Sequence, residues 1–446
     1  MTWRRVTALE WRRTGGPLVA LGLLVVGAVL FAAKQRPFYL YPDWSSTWSN
    51  AVTFLNQTNI VVGPVVATVA AWSAGRERRR RMDELLTSTA RPSWQRRLTT
   101  LVAVTVGLVV GWLLQAAVVL GAVFPTVSYF GGRWTAAVGL NVLGIVVCIA
   151  LGFAVGRRVP GRLVPPLLGL AVYVGFGILT YVSGLASIQL VPIAALNIFE
   201  GQQLKPWAIP FAITWFAAVA CGLAVLGVGR RRHWPVGVAS TVVATASAVV
   251  LTTVIGAAPG PDGAAGDVSR SWIEQDPAAA VQVCTDDAPV VCVQKIHANL
   301  LADVTPVARR QLAALNRYGT YRRAEELPYL TAAGDEVMVL ASLRGLARPY
   351  RGGWDETSAE QWVSDTVYRA TSPACEFAVD LPPWWFVVTT AATALVDPAA
   401  PRADPAADAL LQRLKADPAA AEQWLRAYLP AARSCERATL ERLAGG

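Results

Sequence analysis

The segment Gly75-Arg-Glu-Arg-Arg-Arg-Arg-Met-Asp-Glu-Leu-Leu-Thr-Ser-Thr-Ala-Arg-Pro-Ser-Trp-Gln-Arg-Arg97 is the longest polar interruption among the hydrophobic segments of the N-terminal half. It contains eight arginines, and arginine between hydrophobic segments marks the cytoplasmic side of a membrane. Residues 82–86 (Met-Asp-Glu-Leu-Leu) favour a short helix, which the Thr-Ser-Thr run and Pro92 then end. The segment predicts either such a helix, over about 80–90, or a solvated basic loop that only sets the topology.

Composition places this segment in a membrane protein. The 446 residues are 54% hydrophobic and 16% charged, which is too apolar for a soluble domain of this size. Residues 1–258 hold 22 basic and 6 acidic side chains, a balance of +16; residues 259–446 hold 18 and 24, a balance of −6. Because the basic excess lies in loops that flank apolar segments, it requires no nucleic-acid partner. The predicted fold class is an all-α polytopic membrane protein.

Seven apolar segments each approach the ~20 residues that a helix needs to cross a bilayer. They lie at about 17–33, 51–72, 98–122, 135–156, 163–186, 207–228 and 236–257. With a cytoplasmic N-terminus, the inner segments carry eighteen arginines, whereas the outer loops carry Lys34, Arg36, Arg133 and Lys205. This positive-inside pattern predicts an extracytoplasmic C-terminal part. Lysine is scarce and alanine abundant, which is typical of a GC-rich bacterial genome and indicates a bacterial plasma membrane.

Two flanking segments contact the bilayer on this interpretation. Residues 2–13 alternate tryptophan and arginine, as in a helix that lies in the membrane interface. The loop at 190–206 is too apolar for a free outer loop, so residues 193–199 are expected to dip into the outer leaflet. Glu200 is the one acidic residue of this loop.

Polar side chains also occur inside the predicted spans. Asn56, Gln57 and Asn59 follow one another in the second span, where an unpartnered polar group costs free energy. They predict either hydrogen bonds between helices or a substrate-facing role. Gln115 and Asn141, in later spans, are interpreted as helix-packing contacts.

The C-terminal part is predicted to be a mainly α extracytoplasmic domain at 267–446, joined by a Pro/Gly-rich linker at 259–266. Helical patterns cover 294–316, 321–327, 356–370 and 405–443, and strands or buried segments are expected at 335–341 and 384–396. Its four cysteines are disulfide candidates with three possible connectivities, of which Cys284–Cys292 with Cys375–Cys435 is preferred. Metal binding is the less favoured alternative, because the chain has only two histidines.

The sequence lacks the common catalytic motifs. It contains no Gly-x-x-x-x-Gly-Lys-Ser/Thr phosphate loop, no His-Glu-x-x-His and no Gly-x-Ser-x-Gly. His233 and His297 are predicted on opposite faces of the membrane, and His297 is expected to be a surface or satisfied core residue. The chain is therefore predicted to be a non-enzyme without a metal site or a cofactor of its own.

With these features in view, the segment at 75–97 resembles the coupling-helix region in the permease subunit of type-2 ABC transporters. The matching residues are Glu77, Glu84, Leu85, Leu86, Pro92, Arg96 and Arg97. The resemblance covers roughly residues 1–230. Arg81-Met82 stands where that family commonly has Gly-Thr, and the proline comes later than usual. The seventh span and the exported domain are additions to the six-span core of the family.

The resemblance implies an exporter subunit that dimerises, as a homodimer or a heterodimer, and recruits a cytoplasmic ABC ATPase. ATP and Mg²⁺ would bind to that partner. The ATPase would dock on Asp83, Glu84, Leu85 and Leu86, and the translocation path would include Asn56, Gln57, Asn59 and Glu200. The alternative function is a membrane-anchored receptor or assembly factor that acts through its outer domain.

Overall fold

The computed structural model describes residues 16–33, 47–79, 92–159, 161–181, 201–229, 233–256, 272–318, 321–327, 336–343, 356–373, 375, 381–397 and 407–445. The chain forms two compact units. The helical unit comprises residues 1–44, 48–124 and 131–276, and the C-terminal unit comprises residues 45–47, 125–130 and 277–446. The predicted helices at 2–13 and 80–90, the loop residues 190–200 and the linker at 259–266 lie outside the described residues.

The helical unit confirms the prediction of a mostly helical chain. Its helices are α1 Gly16–Ala33, α2 Trp48–Ala74, α3 Arg76–Arg79, α4 Ser93–Val123, α5 Trp134–Arg158, α6 Val164–Tyr181, α7 Ala208–Val228 and α8 Trp234–Gly256. Among the described residues, α2, α4, α5 and α7 are long and apolar enough to cross a membrane, and α6 and α8 contain shorter apolar stretches. Helices that are apolar on every side are typical of membrane spans, so the unit is consistent with a helical membrane protein.

Helix α2 lies at the centre of the unit and packs against α4, α5 and α6. Helix α5 also packs on α7, while α1 packs on α4 and α8 on α7. Every fourth residue of α2 meets the residue 85 positions later in α5: Gly63 meets Cys148, Ala67 meets Gly152 and Ala71 meets Gly156. A constant offset means that the two helices run in the same direction. Small residues at i and i+4 let two helix backbones approach closely within a membrane.

Large apolar side chains are exposed on the outer surfaces of this bundle. They include Leu18, Leu21, Val25 and Val29 on α1, Leu167, Leu170, Val174 and Ile178 on α6, and Val236, Val242, Val243 and Val250 on α8. Rows of this length are rare on soluble monomers, and they suit contact with lipid or with another apolar surface.

A two-stranded sheet lies at one end of the helical unit. Strand β1 (Gln202–Leu204) pairs antiparallel with β2 (Ile273–Gln275). Arg133, just before α5, bonds both the Leu204 carbonyl and the Glu274 carboxylate, the latter at 3.0 Å. The chain after α8 is thereby held against the segment that precedes α7.

The C-terminal unit contains a four-stranded sheet of order β3-β4-β5-β6, with strands Gln282–Cys284, Val290–Gln294, Arg323–Glu325 and Val337–Val339. Strand β3 is antiparallel to β4, while β4, β5 and β6 are parallel. The helix predicted over 321–327 is wrong, because β5 lies there. Its polar sequence favours a helix locally, but pairing on both edges and complete burial of Ala324 outweigh that preference. The predicted strand at 335–341 contains β6.

The described α-helices of the unit are α9 Leu301–Leu315, α10 Glu356–Thr371, α11 Pro383–Val396, α12 Ala407–Ala416, α13 Pro418–Ser434 and α14 Arg437–Gly445. Helices α9, α10 and α12–α14 lie where helical patterns were predicted. The segment at 384–396, expected as a strand or a buried segment, is helix α11. Its inner face, with Val388 and Ala391, packs in one core with Trp424 and Tyr428 of α13.

Two disulfides staple this unit, and both are the pairs preferred from the sequence: Cys284–Cys292 and Cys375–Cys435. Cys284 and Cys292 are opposite each other in the β3–β4 ladder. The second bridge joins residues 60 positions apart, and closing a loop of that length stabilises a fold by about 4 kcal/mol in the chain-entropy model.

Candidate functional site

Asn59 is the centre of a buried polar network that joins three helices of the helical unit. Its Nδ2 donates to Asn141 Oδ1 of α5 at 2.7 Å, and its Oδ1 accepts from Trp112 Nε1 of α4 at 3.0 Å. All three side chains are almost fully buried. Both ends of the Asn59 amide therefore bond inside the protein, as expected for hydrogen bonding between helices.

A separate polar contact lies beside this network, one residue away in α2. Thr58 Oγ1 donates to the Leu55 carbonyl at 2.7 Å and accepts from Gln115 Nε2 at 3.3 Å. Asn56 is fully buried and Gln57 is half-buried, while Glu200 lies outside the described residues. The structure thus brings Asn59 together with Asn141, and Thr58 with Gln115.

Sequence reasoning did not single out Trp112. A tryptophan in an apolar span looks like an ordinary packing residue. Its indole N–H nevertheless needs an acceptor when it is buried, and the nearby asparagines of the second span were the available signal.

Asn59→Leu is expected to destabilise the helical unit by about 1–2 kcal/mol, the upper range for a hydrogen bond between membrane helices. Unfolding of the purified protein in mixed micelles measures this loss. Asn59→Leu and Asn141→Leu should couple in a double-mutant cycle, because the two side chains share one bond. Gln57→Leu is the matched control and should change stability by less than about 0.5 kcal/mol. Fully additive costs at Asn59 and Asn141 would contradict the network.

A cluster of charged side chains lies at the C-terminal ends of α2 and α5. Glu77 on α3 pairs with Arg157 at the end of α5, with Oε2 and Nη1 3.0 Å apart. The Arg157 side chain is only 9% exposed, so its charge needs this partner. Arg157 also lies in the last turn of α5, where the helix dipole favours a cation. The pair joins α3, which directly precedes residue 80, to α5.

Two arginines from other helices cap the end of α7. Arg97, on α4, donates from Nη1 to the carbonyls of Val228 and Gly229 at 3.3 and 3.2 Å. Arg158, on α5, donates from Nη2 to the Leu226 carbonyl at 2.6 Å. The last carbonyls of a helix have no partner within the helix, so these guanidinium groups satisfy them.

The predicted docking residues Asp83, Glu84, Leu85 and Leu86 lie outside the described residues. The chain on either side of them is described. Glu77 before the segment and Arg97 after it line the same small cavity, together with Arg157. The segment at 80–91 is therefore bracketed by two anchors, one bonded to α5 and one bonded to α7. The sequence places Arg97 in the motif that resembles a coupling helix and Arg157 in the cytoplasmic charge pattern, but neither pattern predicts a partner on another helix.

In the C-terminal unit, Glu326 forms a second buried polar centre. Its carboxylate contacts His297 Nδ1 at 2.8 Å through Oε1. It also accepts the backbone N–H groups of Gln294 and Leu343, at 3.0 and 3.2 Å. Both side chains of the His297–Glu326 pair are at least 96% buried, so His297 is a satisfied core residue rather than a surface residue.

In the described part of the helical unit, these polar groups join helices to one another and satisfy the last carbonyls of α7. Among the described residues, no group of three or more His, Cys, Asp or Glu side chains is placed to hold a metal ion. Scans against protein-family models, curated proteins and solved structures found no match to this chain.

Proposed function

We propose that the chain is the membrane-spanning subunit of an ATP-driven ABC transporter, an exporter that couples to a separate cytoplasmic ATPase. The observation that carries this proposal is the double anchoring of the segment at 80–91. Its sequence resembles a coupling helix, and its flanks bond to two different helices through Glu77–Arg157 and through Arg97 with the α7 carbonyls. A partner that presses on this segment would displace α5 and α7 together.

The two helices carry such a movement across the unit. Helix α5 has 25 residues, a length of roughly 37 Å at 1.5 Å per residue, which matches the thickness of a bilayer. Helix α5 starts directly after Arg133, at the end away from Arg157, and Arg133 bonds Glu274 in β2. Helix α7 starts just after β1. A shift of α5 or α7 would therefore reach residues 273–276, from which the chain continues into the C-terminal unit.

The proposed topology has seven spans, a cytoplasmic N-terminus and an extracytoplasmic C-terminal domain in a bacterial plasma membrane. The parallel contact of α2 and α5 supports alternating crossings, because α4 then returns between them. The two disulfides favour an oxidising compartment for the C-terminal domain. The exposed apolar rows of α1 and α6 suit lipid or a second permease copy in a homodimer or heterodimer.

The experiment that tests the function is a detergent pull-down of the tagged chain from its native host, probed for an ATPase with a Gly-x-x-x-x-Gly-Lys-Ser/Thr motif. We expect such a subunit near one-to-one with this chain, with Asp83, Glu84, Leu85 and Leu86 at the contact. Absence of an ATPase from correctly folded protein would contradict the transporter. It would favour a receptor or assembly factor that acts through the C-terminal domain.

Leu85→Arg is expected to lower ATPase recovery at least about tenfold, since burying an unpaired charge in an interface core costs more than 1.4 kcal/mol. The measurement is the ratio of ATPase to permease in the pull-down. Leu163→Arg is the matched control, because Leu163 is 72% exposed at the predicted cytoplasmic start of the fifth span. It adds the same charge on the same side and should leave recovery unchanged. Equal recovery from both variants would refute docking at Leu85.

A further inference from the structure

The small cavity beside the Glu77–Arg157 pair has the size of a site for a single ion. It lies where the C-terminal ends of α2 and α5 meet α3 and the first turns of α4. Its volume is about 10 Å³, which is the space that one water-sized species needs. The polar residues that line it are Ser73, Arg76, Glu77, Arg97, Thr100 and Arg157.

The charges around this cavity do not balance. The lining residues carry three guanidinium groups and one carboxylate, that of Glu77. Glu77 forms its ion pair with Arg157, whose side chain is only 9% exposed. Arg97 hydrogen-bonds only neutral carbonyl oxygens among the described residues, those of Val228 and Gly229. A cation that is partly withdrawn from water is stabilised by an anionic partner, so the cavity favours a negatively charged occupant.

Arg97 and Arg157 each offer an N–H group to such an occupant. Both guanidinium groups are fixed through Nη1, Arg157 by Glu77 and Arg97 by the α7 carbonyls. The Nε atom of each is buried, and within the described part of the chain neither has an acceptor. A buried donor without an acceptor costs free energy, and an occupant that accepts from both Nε–H groups removes this cost.

From these observations we propose that the cavity binds one halide ion, chloride under physiological conditions, between Arg97 and Arg157. A water molecule fits and can accept both bonds, but it is neutral and leaves the excess charge in place. Phosphate and sulfate carry charge but are too large for a volume of about 10 Å³. A spherical anion accepts hydrogen bonds from any direction, which suits two guanidinium groups that other contacts hold. The ion joins α4 to α5.

The test is chloride NMR of the purified full chain in detergent, because chloride bound to a protein has a much broader line than free chloride. Wild type should show saturable broadening that bromide reverses and that sulfate at the same ionic strength does not. Broadening that does not saturate would overturn the proposal. Reversal by sulfate as readily as by bromide would overturn it as well.

Two substitutions break the same ion pair but should change the affinity in opposite directions. Arg157→Gln removes a charged donor and should weaken chloride binding at least about tenfold, as expected for a hydrogen bond to a charged group. Glu77→Gln removes a competing negative charge and should strengthen binding about fivefold, the effect of a unit charge a few ångströms away. Weaker binding in both variants would show that the ion pair only maintains the local fold, and would overturn the site.

Two further variants separate the cavity from the general positive charge of this end. Ser73→Met fills the cavity without changing any charge and should abolish saturable binding. Arg158→Gln is the control, because Arg158 follows Arg157 in α5 but bonds the Leu226 carbonyl and is not among the described lining residues. It should leave the affinity unchanged. Equal losses in Arg157→Gln and Arg158→Gln, or full binding in Ser73→Met, would contradict the site. No ATPase is needed, so the result is independent of the proposed transport function.

Discussion

Gly152→Ala is expected to destabilise the helical unit by about 3 kcal/mol, at the upper end of the usual cost of overpacking. A Cβ at Gly152 would lie 2.1 Å from the carbonyl oxygen of Ala67, and a backbone atom cannot rotate away as a flexible side chain can. Helices α2 and α5 would have to separate, and the Asn59–Asn141 bond on the same contact would lengthen with them. The measurement is unfolding of the purified protein in mixed micelles.

Helix α5 offers a matched control. Gly139 lies in the same helix, and a Cβ there would meet nothing within 4 Å. Gly139→Ala should be neutral or stabilising by up to about 1 kcal/mol, because alanine loses less conformational entropy in a helix than glycine does. Gly156→Ala, whose Cβ would lie 2.2 Å from the Ala71 carbonyl, should reproduce the large loss. If Gly152→Ala and Gly139→Ala behaved alike, the close α2–α5 contact would be refuted.

Glu326→Ala should destabilise the C-terminal unit by about 3–5 kcal/mol, because it removes a buried carboxylate that His297 and two backbone N–H groups contact. The substitution leaves His297 and the backbone N–H groups of Gln294 and Leu343 buried without their acceptor. Because Gln294 ends β4 and Leu343 follows β6, the sheet and the adjoining loop should loosen together. Protease resistance of residues 277–446 in the full chain, followed against denaturant concentration, measures the loss.

The surface pair Arg322–Glu336 is the control for this experiment. Its side chains are 78% and 47% exposed, so Glu336→Ala should cost less than about 1 kcal/mol. The stability loss of Glu326→Gln should lie between those of Glu326→Ala and Glu336→Ala, since an amide keeps the shape of the side chain and one acceptor oxygen. A Glu326→Ala protein as stable as Glu336→Ala would show that the buried carboxylate does not hold this part of the fold.

Local signals were sufficient for the helices of the helical unit. An uninterrupted apolar run favours a membrane helix through the summed transfer free energy of its own residues, which needs no knowledge of the partner helix. The cysteine pairing was also accessible, because Cys284 and Cys292 lie close in sequence and their pairing leaves Cys375 and Cys435 for each other.

The polar contacts between helices could not be predicted from the sequence in this way. Asn59 and Asn141 were both noticed, yet nothing in the sequence joins residues 82 positions apart. The same applies to Glu77 with Arg157 and to Arg97 with the α7 carbonyls, because neither the coupling-helix motif nor the charge pattern predicts these partners. The prediction of a helix at β5 is wrong for a related reason. The residues of β5 favour a helix locally, and pairing with its two neighbouring strands makes the segment a strand.

The sequence by itself therefore determined which segments are apolar helices, which side of the membrane their arginines predict, and where a cysteine-stapled domain follows. The tertiary structure decided which polar groups meet: the Asn59 network, the anchors on either side of residues 80–91 and the buried Glu326. The physical reason is range. Burial of apolar surface is a sum over local residues, whereas a hydrogen bond or an ion pair depends on two groups that only the folded chain brings within about 3 Å.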